Sequence, residues 1–304
     1  MIRQFKYRDI TWIDATNPSK EELTAFGRDY KIHSLVENEL AEPSHRSHLD
    51  TYENYLYLVL HFPACRFCLD GSKDTSEDTQ EVDFIIGRDF LLTIHYEPIQ
   101  TLEEFGQIIE ANLRAAEANK DQTGFLFYQI LLRLYGALDA GLSYIGDELK
   151  KAEGNIFSGK EKETVVVLSK INREILDFNW VLKAHPEIIS LLATKTGLVD
   201  QSLSQHLNFT ARRLLATLEN RREMFNDLRT TNDSLLAIKT NEIMKILTIM
   251  AFTTLPLTVF TQMFGMNTVY NPILGLRFDF WIIVAIMIGA VAAMLLFFRH
   301  KGWL

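Results

Sequence analysis

The sequence predicts an α+β body, a long stalk helix and then two membrane-spanning helices. Three observations carry that prediction. Charge is divided unevenly: of 31 basic and 39 acidic residues, four basic and two acidic fall in residues 241–304, leaving a net −10 on residues 1–240. Two apolar runs lie in that tail, 246–276 with no formal charge over 31 residues and 280–298 with none over 19. The apolar period also changes along the body, from β-branched and aromatic runs before residue 98 to three- and four-residue spacing after Gln100. The mean hydropathy of +0.00 over 304 residues is therefore an average of opposites. The composition excludes a collagen-like, disordered or disulfide-dense chain. An acidic body also speaks against a nucleic-acid partner, which requires a basic face.

NPSKEELTAFGRDY (17–30) opens on a proline and an acidic first turn and reads as a helix. YLYLVLHF (55–62), VDFIIG (82–87) and FLLTIHY (90–96) read as strands. Between them DGSKDTSEDTQE (70–81) has no apolar residue and reads as a solvated hairpin loop, without the spacing of a calcium site. Cys65 and Cys68 have the spacing of half a zinc site, but no second pair follows and His61 is the nearest helper. Two reduced cysteines in a hairpin are the plainer reading. The N-terminal MIRQFKYRDITWID has no continuous apolar stretch, so no signal peptide is expected. Residues 1–98 are thus expected to form a cytoplasmic α/β domain.

TLEEFGQIIEANLRAAEANK (101–120), a stretch over about 123–152 and another over about 162–184 carry helical spacing. GNIFSGK (154–160) separates the last two and the third ends near Pro186, so residues 99–197 predict a helical hairpin. Over residues 198–264 only Pro256 interrupts, inside an apolar run where such kinks are tolerated. A helix of that length spans roughly 100 Å. Residues 198–245 are the expected stalk, a rod able to carry movement from the body to a membrane.

A bilayer core takes roughly 20 apolar residues as helix. The expected spans are 246–264 and 280–298, joined by a Gly-, Asn- and Pro-bearing loop at 265–279 and followed by a basic tail at 299–304. Lys239 and Lys245 precede the hairpin, and Arg299 and Lys301 follow it. By the positive-inside rule both termini lie in the cytoplasm and the loop lies outside, in a multi-pass cell-membrane protein.

Two spans per chain cannot enclose a pore, so transport requires a homo-oligomer around an axis. The first span is the more polar one. Asn241, Met244, Leu247 or Thr248, Ala251, Leu255, Thr258 and Gln262 recur at the spacing of one helix face. That stripe suits a pore wall; the competing reading is that the Thr hydroxyls bond back to their own helix.

TNEIMKILTIMAFTTLPLTVFTQMFGMN (240–267) resembles the first transmembrane helix and signature of the CorA family of divalent-cation channels. The Gly265-Met266-Asn267 run sits at the outer end of the first of two C-terminal spans, and the closing FFRHKGWL also resembles that family's basic tail. The match is close over residues 238–304 and architectural over 1–237. The resemblance implies a funnel-shaped homopentamer whose first spans line the pore and whose second spans form an outer ring. It places Asn267, with Gly265 and Met266, at the outer filter for a hydrated ion. Thr258, Leu255, Leu247, Met244 and Asn241 become successive narrowings below it. Magnesium, with cobalt or nickel as surrogates, is the implied cargo. No resident cofactor is implied, although Mg²⁺ is also a candidate regulator.

The chemistry of that set suits magnesium. Mg²⁺ gives up its waters reluctantly, and a ring of neutral carboxamides accepts hydrogen bonds from those waters without stripping them. Leu and Met rings offer no ligands and suit a gate that closes by dewetting. Gly265 is expected to let the chain turn tightly beneath the Asn ring.

The sequence departs from the family pattern in three places. Asn271-Pro272-Ile273-Leu274 carries no acid where relatives have one, which removes a negative ring at the mouth. Thr230 stands where an acidic ring is expected, leaving Asp227 and Asp233 as the stalk's candidate metal carboxylates. The carboxylates with which relatives sense cytoplasmic Mg²⁺ between subunits have no match. A zinc transporter of the same superfamily is the alternative cargo reading, against which Met266 speaks. A membrane-anchored coiled-coil sensor or scaffold is the alternative class, and it has no use for Asn267 or a polar first span. With no triad, phosphate loop or HExxH motif, no enzyme is expected.

Overall fold

The computed structural model describes residues 1–7, 9–63, 79–112, 123–195, 197–266 and 277–303. They fall into two units, Met1–Arg229 and Thr230–Leu304.

The first unit is built on a six-stranded sheet. Its strands are β1 (Ile2–Tyr7), β2 (Ile10–Thr16), β3 (His48–Thr51), β4 (Leu56–Pro63), β5 (Thr79–Ile86) and β6 (Phe90–His95), in the order β1-β2-β6-β5-β4-β3. The β2–β6 pair is parallel, with Trp12 opposite Leu91 and Asp14 opposite Thr93, and the other pairs are antiparallel. Every residue of β4 and β6 is buried. Continuous apolar runs of this kind belong to strands covered on both faces.

One face is covered by α1 (Lys20–Tyr30) and α2 (Ser34–Glu39), whose Leu23, Phe26 and Val36 join Ile13, Val59, Ile85 and Leu92 in a single core. The start of α1 is a capping box: Ser19 Oγ accepts from the Glu22 amide at 3.3 Å, and the Glu22 carboxylate accepts from the Ser19 amide at 2.7 Å. Its end is an αL residue, Lys31 at φ 52°. The other face carries α3 (Gln100–Asn112), α4 (Thr123–Phe157) and α5 (Glu161–Leu182). Trp12 meets Phe105 of α3 at 5.5 Å and Phe84 meets Phe127 of α4 edge-on at 5.2 Å. α4 is long and apolar enough to cross a membrane, yet half of its most apolar stretch is buried in the unit. It is a core helix, with Ile130, Leu134, Leu138, Leu142, Ile145 and Leu149 on its inner stripe.

Several boundaries differ from the sequence reading. The strands β1, β2 and β3 and the helix α2 carry no element in that reading. The last three residues of the expected loop at 70–81 belong to β5; residues 70–78 lie outside the described residues, as do residues 113–120 of the helix expected at 101–120. GNIFSGK does not break at its start, because α4 continues to Phe157 and turns at Gly159, φ 88°. Pro186 does not close a helix either. α5 ends at Leu182 and α6 (His185–Lys195) begins with Pro186 in its first turn, where the missing N–H costs nothing.

One helix, α7 (Gln201–Gly265), carries Pro256 without interruption, and α8 (Asp279–His300) follows. Both α7 and α8 are long and apolar enough to cross a membrane, and none of the most apolar stretch of either is buried.

Candidate ion pathway

In the second unit the stripe derived above lies wholly on α7. At 3.6 residues per turn, Asn241, Met244, Leu247, Thr248, Ala251, Leu255, Thr258 and Gln262 fall within about 60° of one line along the helix. Thr248 is half-buried and the rest are exposed in the single chain; Leu255 is 64% exposed and Met244 57%. The residues of α7 that meet α8 lie away from that line. Phe252 and Pro256 share a groove with Phe297 and Phe298, Leu257 shares one with Val284 and Met287, and Lys245 donates to the Gly302 carbonyl at 3.2 Å. The stripe thus lies within the broader side of α7 that α8 leaves uncovered, a side that also exposes Ile243 and Met250.

The Thr hydroxyls on this face do bond back to the helix. Thr248 Oγ1 donates to the Met244 carbonyl at 2.7 Å, and Thr258 Oγ1 to the Thr254 carbonyl at 2.9 Å. Donation leaves the hydroxyl lone pairs as acceptors for hydrogen bonds from water. Gly265 ends α7 without entering the left-handed region, and nothing lies within 4 Å of the position a Cβ would take. The expected tight turn therefore does not draw on glycine's freedom at this position. Met266 is 60% exposed. Asn267 and the acid-free run at 271–274 lie outside the described residues, as do Cys65 and Cys68.

Asp227 and Asp233 are both exposed on α7. Six residues apart, they stand about 120° from one another around the helix. Among the described residues no group of three His, Cys, Asp or Glu side chains is arranged to hold a metal ion.

Sequence reasoning missed a set of buried polar groups in the first unit. Asp14 is 1% exposed and accepts from Thr93 at 2.7 Å, while His95 Nε2 lies at 3.1 Å and Arg3 at 3.3 Å. Glu81 accepts from the Ser44 amide at 2.7 Å and lies 3.4 Å from His61. Burial, and then the neighbouring Glu81 charge, push the Asp83 carboxyl well above the usual carboxylate range. His185 is fully buried between Tyr135 and the His61 carbonyl, and burial pulls its imidazole down to about 4. The only trace of these groups in the sequence is a polar residue within an apolar run.

A family model described as CorA-like Mg²⁺ transporter protein matches residues 7–300. The cobalt/magnesium transport protein CorA of Thermotoga maritima is 24% identical over an alignment of 325 positions, gaps included, which covers 100% of this chain and 89% of the relative. Its namesake in Methanocaldococcus jannaschii is 25% identical over 300 residues, covering 97% and 92%. The complete structure of the CorA magnesium transporter from Methanocaldococcus jannaschii shares the fold, with a TM-score of 0.82 at 22% identity over 99% of this chain and 93% of that one.

Proposed function

The chain belongs to the family of CorA-like Mg²⁺ transporter proteins, and from that membership we propose that it forms a homopentameric channel importing Mg²⁺, with Co²⁺ or Ni²⁺ as surrogates. Residues 1–98 and 99–197 form the cytoplasmic α/β domain and helical hairpin of each subunit. Residues 198–245 form the stalk, 246–264 and 280–298 the spans, 265–279 the outer loop and 299–304 the basic tail. Both termini are cytoplasmic in the cell membrane.

The observation that carries the reading is the uncovered stripe on α7, away from the side that meets α8. A helix that pairs with its neighbour on one side and leaves a mixed polar and apolar line on the other fits a place in an inner ring. In that ring Gly265, Met266 and Asn267 form the outer filter, where carboxamides accept hydrogen bonds from the ion's own waters. Thr258 and Gln262 offer further acceptors. Leu255, Ala251, Leu247 and Met244 form apolar rings that stop ions when they dewet, and Asn241 ends the line. The pathway needs no nucleophile or general base. Asp227 and Asp233 are assigned to drawing cations toward the stalk. Regulation by cytoplasmic Mg²⁺ is part of the proposal, and an open probability unchanged from zero to millimolar internal Mg²⁺ in patch recordings would remove it.

The deciding experiment is a liposome flux assay with a Mg²⁺-responsive dye, comparing the wild-type chain with Asn267→Ala. The expected outcome is dye response in the first and its loss in the second. Equal flux in both, or none in either beside a working control channel, sinks the channel reading.

A further inference from the structure

The apolar groove between α7 and α8 has a built mouth. Its volume is about 500 Å³, and Phe252 and Pro256 of α7, Ala293, Phe297 and Phe298 of α8, and Trp303 line it. The mouth is shaped by the way α8 ends. Gly302 takes the left-handed conformation at φ 68°, its amide donates to the Arg299 carbonyl at 3.1 Å, and the Trp303 amide reaches back to the Phe298 carbonyl at 2.9 Å. This is a Schellman end with its apolar contact in place: Trp303 stacks on Phe298, with centroids 5.9 Å apart and planes 22° from parallel. Lys245 ties the turn to α7 by donating to the Gly302 carbonyl.

Charge and polarity divide along the groove. Among the described residues its walls carry no ionisable side chain, while Lys245 bonds the turn before Trp303 and Arg299 and Lys301 flank that turn in sequence. An apolar slot with cations at one end matches an amphiphile with one fatty chain in the slot and a negative head at the rim. Water alone would leave Phe252 and Phe297, 64% and 58% exposed, without cover.

We propose that this groove holds an acyl chain of an anionic phospholipid, with the phosphate held by Lys245 and Lys301 and Trp303 placed at the headgroup level. Basic clusters beside membrane helices favour anionic lipid, and tryptophan favours that depth. The site rests on the reading of α7 and α8 as membrane spans.

The test is native mass spectrometry of the full chain in a neutral detergent, with dioleoyl phosphatidylglycerol or dioleoyl phosphatidylcholine added. Phosphatidylglycerol should be retained at a concentration roughly fivefold lower than phosphatidylcholine. Lys245→Ala combined with Lys301→Ala should abolish that preference. Ala293→Trp keeps every charge but fills the slot, and should cut retention of both lipids with the oligomer mass unchanged. Equal retention of the two lipids by the wild type overturns the proposal. So does unaltered retention of phosphatidylglycerol in Ala293→Trp, which marks adsorption to the tail alone. Loss of the oligomer in Ala293→Trp also overturns it, since the groove is then the seat of a second copy. Mg²⁺ flux in phosphatidylcholine vesicles is read in parallel. Flux without selective retention removes the lipid site alone, and retention without flux removes the channel alone.

Discussion

The two ends of α7 are made of the same helix and behave as different materials. Over residues 201–229 the helix buries Leu207, Ala211, Leu214, Leu218, Phe225 and Leu228 at three-, four- and seven-residue spacing. Over residues 230–265 it buries only Asn232 and Ile249, while Met244, Leu247, Met250, Leu255 and Val259 are each more than half exposed. The first stretch is amphipathic because its own unit supplies the apolar partner. The second becomes apolar on nearly every side beyond Lys245, which is stable only in lipid or against other copies. Single-chain burial therefore separates the part of the molecule that specifies itself from the part that its surroundings complete.

The sharpest way to break this comparison is to cut a large apolar side chain from each region. Phe127 is fully buried against Phe84. Phe127→Ala is expected to cost about 3–5 kcal/mol in denaturant unfolding of the full chain, from lost burial and the cavity left behind. Leu255→Ala, at a 64% exposed position, is expected to stay within about 0.5 kcal/mol. Comparable losses from the two would show that the span is as tightly packed as the core.

A second prediction concerns pH and touches only the first unit. His185 is held neutral by burial, its pKa lowered from 6.5 to about 4. The unfolded chain takes up this proton first, so the stability His185 contributes is complete above pH 6.5 and lost as pH falls toward 4. The loss is on the order of 3 kcal/mol. Asp83 has the opposite sign. Its carboxyl is raised by burial and by Glu81, so its contribution is complete below pH 3.8 and lost as pH rises. Across the acid to neutral range, unfolding midpoints should thus flatten at the acid side in His185→Asn, and Asp83→Asn should gain on wild type as pH increases. A parallel set of curves for all three chains would break the assignment.

These buried groups also show where the sequence stops being legible. The long apolar stretches of α7 and α8 could be read because their criterion is local: an uncharged run either reaches the length a bilayer needs or does not. The fully buried strands β4 and β6 could be read because a continuous apolar run is likewise local. β2 could not, because Asp14 interrupts its apolar pattern, and the partners that make Asp14 tolerable are Arg3 and, about 80 residues away, Thr93 and His95. β1 and β3 lie at the sheet edges, where Phe5 and Leu49 alone are buried among the described side chains of the two strands. One buried residue per strand among those described leaves no alternation to read. On α7 the periodicity of the stripe was legible from Asn241 to Gln262. Its position away from α8 was not, since that depends on which side of the helix the second span chooses.

A third prediction uses backbone proximity. A Cβ on Gly124 would lie 2.3 Å from the Leu198 carbonyl oxygen, which is backbone and cannot swing away. Gly124→Ala is expected to cost about 1–3 kcal/mol as the two segments are forced apart, measured by thermal or denaturant unfolding. Retained stability would mean that the first unit yields more readily than its close packing implies.

The smallest expected effect is the most informative about the second unit. Gly289 lies within α8, and nothing stands within 4 Å of where its Cβ would be. By helix propensity alone, Gly289→Ala should gain up to about 1 kcal/mol. That holds if lipid covers this point of α8. If the neighbouring subunit's helix lies there instead, the added methyl group enters a helix contact of the kind that small residues permit, and the oligomer should weaken rather than the chain gain stability. Measuring oligomer mass and unfolding midpoint together separates the cases. A higher midpoint with unchanged mass places Gly289 against lipid, as an outer ring of second spans requires. A lower mass places it against protein and moves α8 inward, which would reverse the roles proposed for the two spans.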